Sequence, residues 1–198
     1  MVTRVAEVSR KTNETTIDVE LNIDGQGNYD IETGSTMLNH LVDQLARHGA
    51  LNLVVKAIAH QDPDGHHITE DLGIVLGRAF DQALGDRIGL TRMANAIIPM
   101  DDALALVAID LAGRSHATVE LPFNSPQLGD LRTELISHFL ETFANEARLS
   151  IHVKILAGGN DHHVAEGTFK ALARALRAAM EIDPRLEGQM PSTKGTLS

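Results

Sequence analysis

Apolar positions recur at helical spacing in two well-separated stretches of the chain. Met37, Leu38, Leu41, Val42 and Leu45 form one stripe, and Leu135, Ile136, Phe139, Leu140 and Phe143 form another. Setting His40 against His138 brings the two stripes into register, as one helix written twice. The segments that follow, LNLVVKAIA (51–59) and LSIHVKILA (149–157), alternate apolar and polar residues, as strands with one buried face do. Beyond them His66-His67-Ile68 aligns with His162-His163-Val164, and the register continues through Arg78/Arg174, Ala79/Ala175 and Ala83/Ala179. The length difference between the copies sits in the turn, QDPDG against GGND.

Each half therefore reads as strands, helix, strand, turn, helix. RVAEVSR and ETTIDVELNID lead the first half, ALALVAIDLAG and SHATVELPF the second, with Gly25, Gly27 and Gly113 at turns. The expected class is α+β, a tandem duplication of a half-domain. Each half would be a mixed sheet of about four strands with two helices on one face, the helices sandwiched between the two sheets. Residues 1–90 form the first repeat and 91–182 the second, with the boundary near Gly89 to Thr91. Residues 183–198, with two prolines and no apolar periodicity, form a C-terminal tail.

Composition narrows the chemistry. The 198 residues are 43% hydrophobic, enough for a core. No apolar run approaches the roughly 18 residues of a membrane span, and the N-terminus lacks a signal-type segment, so a cytoplasmic protein with no membrane partner is expected. Without cysteine, any metal or catalytic chemistry rests on nitrogen and oxygen donors. A net charge of -10 and 3% aromatic residues argue against nucleic acid.

Ten histidines are the oddity, and HHxxE occurs twice. On a helix, residues i and i+4 lie about 40° apart while neighbours diverge by about 100°. His66 can therefore share an ion with Glu70, and His162 with Glu166, while His67 and His163 face elsewhere. The lone histidines His40 and His138 sit at matching places upstream. An approximate two-fold would give each ion the chelating pair of one repeat and the odd histidine, His67 or His163, of the other. Imidazole and carboxylate together suit Mn, Fe or Zn. One HHxxE alone is more often a polar helix start; two at duplicated positions point to metal. His60, His116 and His152 are expected to be solvated.

The strings RVAEVSRKTNET, LNHLVDQLARHG, HHITED, PMDDAL, DLAGR, GNDHHVAEGTFKALARALR and PSTKG, in this order, resemble the imidazoleglycerol-phosphate dehydratase family along essentially the whole chain. The resemblance implies two divalent ions per active site, Mn2+ by expectation. His66, Glu70, His138 and His163 would hold one, and His40, His67, His162 and Glu166 the other. It implies substrate contacts at Glu14, His40 and His48, and a phosphate held by Arg92, Arg114, Lys170, Ser192 and Lys194 with Thr193 beside them. Glu14 becomes the candidate for proton transfer, with Glu166 as its rival. The implied reaction dehydrates D-erythro-imidazole-glycerol phosphate to imidazole-acetol phosphate in histidine biosynthesis, through a metal-stabilised imidazolate and a diazafulvene-like intermediate. The implied assembly is a homo-oligomer of about 24 subunits built from trimers.

The chain departs from the family pattern at Asn39, where Asp is usual, at Asp102 for Glu and at Ala112 for Ser. Asn39, next to His40, would deprive that imidazole of an orienting charge. Asn39 thereby leaves open a catalytically impaired metal-binding relative, and a dinuclear-metal phosphoester hydrolase is a second alternative.

Overall fold

A computed structural model describes residues 4 to 197. The first sheet contains β1 (Val5–Lys11), β2 (Thr15–Asn22), β3 (Tyr29–Glu32) and β4 (Asn52–Ala59) in the order β1-β2-β4-β3. The second contains β5 (Met93–Met100), β6 (Ala103–Asp110), β7 (His116–Glu120) and β10 (Ser150–Ala157) in the order β5-β6-β10-β7. In both, three strands run antiparallel and the last edge strand pairs in parallel. A small ribbon, β8 (Gln127–Leu128) with β9 (Leu131–Arg132), precedes the third helix.

Four helices lie between the sheets: α1 (Thr36–Gly49), α2 (His66–Leu84), α3 (Thr133–Glu146) and α4 (Asp161–Met180). Within each half the helices pack on their own sheet; between halves α2 packs on α3 and α1 on α4. Both helix pairings therefore join one repeat to the other. The apolar stripes of α1 and α3 are buried as their periodicity requires, and one continuous core serves both halves. Phe80 of α2 meets Phe143 of α3 edge-on at 5.2 Å between ring centroids, and Phe139 stacks on Phe169 of α4 at 5.7 Å. Four of the five phenylalanines thus pin three helices together.

The leading-strand expectation needs correction. Each half has three strands of its main sheet before its first helix where the pattern gave two, and the second half adds the β8–β9 ribbon. β3 and β5 went unread because β3 is a short, largely exposed edge strand, and β5 exposes Met93 and Ile97 on an edge and contains Pro99. β7, read from SHATVELPF, is the counterpart of β3 and not of β2.

Candidate metal and substrate site

Both HHxxE motifs open a helix, and turn residues hold them there. Asp62 accepts hydrogen bonds from the backbone N–H groups of His67 and Ile68, and Asp64 from that of His66. Asn160 caps α4 by accepting from His162 and His163. These caps satisfy donors that a helix start leaves free, and they fix the histidine pairs in the first turn.

Two groups of potential ligands result. His66 and Glu70 of α2 meet His138 of α3, and His162 and Glu166 of α4 meet His40 of α1. In the second group the Nε2 atoms of His40 and His162 stand 3.0 and 3.1 Å from the same Glu166 Oε2. In the first, Glu70 lies 3.4 Å from His138 Nε2 and 3.9 Å from His66 Nε2. Each group therefore joins the i, i+4 pair of one repeat to the lone histidine of the other, through the α2–α3 and α1–α4 packings. Among the described residues His138 Nε2 is buried without a hydrogen-bond partner, with Glu70 3.4 Å away. An orphaned imidazole nitrogen aimed at a carboxylate and a second imidazole fits a cation between them.

Electrostatics make the two carboxylates unequal. Burial alone would raise the Glu166 pKa. Hydrogen bonds and charge from Lys170, 2.6 Å away, and from His40 outweigh it and hold the carboxyl at about 2. His48, at the end of α1, is pushed down by burial and by the nearby Lys170 and Arg174 charges. His48 and Lys170 thus share the α1–α4 seam with His40 and Glu166.

The remaining implied ligands lie outside both groups. His67 gives Nδ1 to the Gln61 carbonyl at 3.1 Å and has Glu14 3.7 Å from Nε2; the carbonyl bond, reinforced by Glu14 and the turn aspartates, raises its pKa. His163 bonds through Nδ1 to Asp102 at 2.6 Å, with Asp101 3.3 Å from Nε2. Neither histidine joins a ligand group of its own chain, so the four-ligand sets expected from the sequence are each three residues within one chain.

The expected phosphate ligands also divide. Arg92, Arg114, Ser192, Thr193 and Lys194 line a cleft of about 540 Å³ between the start of β5 and the tail. Arg92 is forked onto Asp110 at 2.7 and 2.9 Å and donates to the Pro191 carbonyl, so it also anchors the tail. Lys170 is absent from this cleft. Arg92 N–H bonds the carbonyl of Ala179 at the far end of α4, roughly 20 Å along that helix from Glu166. Cleft and metal groups therefore occupy opposite ends of α4.

Asn39 also departs from expectation. Its Oδ1 accepts from the backbone N–H and hydroxyl of Thr33, at 2.9 and 2.7 Å, closing the turn into α1. Its side-chain oxygen is thus engaged in holding the loop before α1. The capping roles of Asp62 and Asp64 and the Asp102–His163 bond were missed in the sequence, although the acidic turn DPDG was visible there. His60, His116 and His152 are exposed as expected. Among the described residues no helix is long and apolar enough to cross a membrane.

Comparison with known proteins identifies the family. The family model for imidazoleglycerol-phosphate dehydratase matches residues 33–176. A relative of that name from Dehalococcoides mccartyi is 52% identical over 197 residues, covering 100% of this chain and 99% of its own. One from Granulibacter bethesdensis is 49% identical, covering 99% and 100%. Among solved structures, the Pyrococcus furiosus enzyme in complex with (S)-C348 superposes with a TM-score of 0.82 at 35% identity, covering 96% of this chain and 99% of that one. The Staphylococcus aureus enzyme gives 0.80 at 31%, covering 90% and 100%.

Proposed function

The chain belongs to the imidazoleglycerol-phosphate dehydratase family, and from that premise we propose how its own residues divide the work of the reaction. It is a hydro-lyase of histidine biosynthesis that removes water from imidazole-glycerol phosphate. Two divalent ions, which we take to be Mn2+, would be held by His66, Glu70 and His138 and by His40, His162 and Glu166. His163 and His67 of a neighbouring copy would complete them. Bound ions supply Lewis acidity that stabilises negative charge on the substrate's imidazole ring. Lys170 keeps the Glu166 carboxyl ionised and turned toward the two imidazoles. Glu14, half-exposed 3.7 Å from His67 Nε2, is our candidate to move the proton from carbon, and its closeness to a proposed ligand supports that reading. Arg92, Arg114, Ser192, Thr193 and Lys194 hold the phosphate, with hydroxyl and charged donors suited to its oxygens.

The length of α4 between the tail cleft and Glu166 carries this reading. A substrate of this size is too short to reach from one to the other within a chain, and this favours sites that draw cleft and metals from different copies. That supports a homo-oligomer, which we read as built from trimers to about 24 subunits in the cytoplasm. Residues 1–90 and 91–182 are read as the two repeats and 183–198 as the substrate-contacting tail. Co-expressing His40→Ala with Lys194→Ala tests the shared site. Mixed assemblies should regain a measurable fraction of wild-type formation of imidazole-acetol phosphate, because some sites then draw both intact parts. Assemblies as inactive as either parent would place each site in one chain. Release of inorganic phosphate in place of the acetol product would mark a hydrolase.

A further inference from the structure

The β1–β2 and β5–β6 hairpins occupy the same place in their sheets, with the same antiparallel pairing. Glu14 is the residue immediately before β2, and Asp102 the residue immediately before β6. Each approaches the second histidine of its own repeat's HH pair. Glu14 and Asp102 are therefore repeat partners, although nothing in their local sequences aligns them.

The two have diverged in how they are held. Asp102 Oδ1 takes the His163 Nδ1 contact at 2.6 Å, while Oδ2 accepts from the backbone N–H groups of Gly159 and Asn160 at 2.8 and 3.1 Å. Both oxygens are engaged, and the turn that starts α4 is tied to the hairpin. Glu14 makes only a 3.7 Å approach, and on the other ring nitrogen of His67. In repeat one the Gln61 carbonyl takes His67 Nδ1 in place of a carboxylate. Each repeat thus supplies one acceptor to Nδ1, which fixes the ring and leaves Nε2 as the nitrogen available to a metal. Asp101 stands on that outward side.

We propose that Asp102 is a positioning residue for His163, orienting its imidazole so that Nε2 serves as a metal ligand, while its repeat partner Glu14 has been left free for proton transfer. This rests on the metal-ligand role given to His163 above. A carboxylate on the far nitrogen orients a ligand imidazole and raises its basicity, and losing such a partner costs about 10- to 100-fold in metal affinity or activity.

The test compares Mn2+ stoichiometry and affinity, by calorimetry and metal analysis, in the assembled wild-type protein and in Asp102→Asn, Asp102→Glu, His163→Ala and Glu14→Gln. Asp102→Asn should weaken one ion by about 10- to 100-fold and leave the other unchanged. His163→Ala should weaken the same ion, and Asp102→Glu should restore much of the loss. Glu14→Gln should lose turnover with both ions at wild-type affinity. Wild-type affinity for both ions in Asp102→Asn, with His163→Ala impaired, overturns the positioning role. So does equal weakening of both ions together with a lowered melting temperature, the sign of a general structural effect. If His163→Ala itself binds both ions normally, the ligand assignment fails first and the proposal with it.

Discussion

The α2–α3 packing that brings His138 to His66 and Glu70 depends on a helix approach too close for a side chain at Gly77. A Cβ built there would stand 2.7 Å from Glu146 Cβ, 2.8 Å from the Phe143 carbonyl oxygen and 2.9 Å from the Ala147 nitrogen. Two of these are backbone atoms that cannot rotate aside, and ordinary contact begins near 3.4 Å. Gly77→Ala must therefore push α3 outward by about half an ångström, at about 1–3 kcal/mol for overpacking. The better helix propensity of alanine returns about 1 kcal/mol, leaving a net loss of about 1 kcal/mol. In a chain of this size that lowers the melting temperature by about 2–4 °C. Gly77 is seven residues beyond Glu70 on α2, about 10 Å, so the displacement should also reach the His66–Glu70–His138 group. Thermal unfolding of the metal-free protein and Mn2+ titration of the assembled one check both effects. Gly73→Ala is the milder control, because its nearest contacts are 3.2 to 3.3 Å. A Gly77→Ala protein that melts at or above wild type, as propensity alone would give, refutes the close approach.

His138→Ala and His40→Ala should each remove one ion per chain and spare the other, which metal analysis after dialysis would show; loss of both from either variant would mean that the groups are not separate. Asn39→Ala deletes two hydrogen bonds to Thr33 and should cost about 1–2 kcal/mol of stability with metal affinity intact; selective loss of the His40 ion would return Asn39 to the ligand chemistry. The Glu166 carboxyl sits at about 2 when folded, below its reference of 4.5. Its contribution to stability is therefore present above about pH 4.5 and lost as pH falls toward 2, and in the metal-free protein Lys170→Met should flatten that acid limb of the stability profile. Identical limbs in the two proteins would deny Lys170 its role.

What could be read from the sequence was local or periodic. The i, i+4 relation of His66 to Glu70 and of His162 to Glu166 follows from helix geometry alone, and the duplicated stripes announced that α1 and α3 are equivalent. Symmetry assigned the odd histidines His67 and His163 to the opposite repeat, and no contact among the described residues brings them there; the lone histidines His40 and His138 crossed over only in the family resemblance, and the α2–α3 and α1–α4 packings are the contacts that carry them across. The Asp102–His163 bond was not legible in the same way. It spans 61 positions, and it depends on where a hairpin ends and on which strand carries an edge register. β5, which sets that register, is the strand that its exposed residues and Pro99 concealed.

The same locality explains how two similar metal groups come to differ. Four residues after Glu166 stands Lys170, and four residues after Glu70 stands Ile74. Duplication preserved the ligands, which must converge on a point, and released the position one turn further on. A lysine there draws one Glu166 oxygen while both imidazoles face the other, so that carboxylate is buried, ionised and fixed before any cation arrives. Glu70 has no such partner at the equivalent place and remains 40% exposed, with its oxygens at longer range from His66 and His138. Two ions held by nearly the same donors would therefore meet a substrate with different surroundings, one beside a cation and one beside solvent.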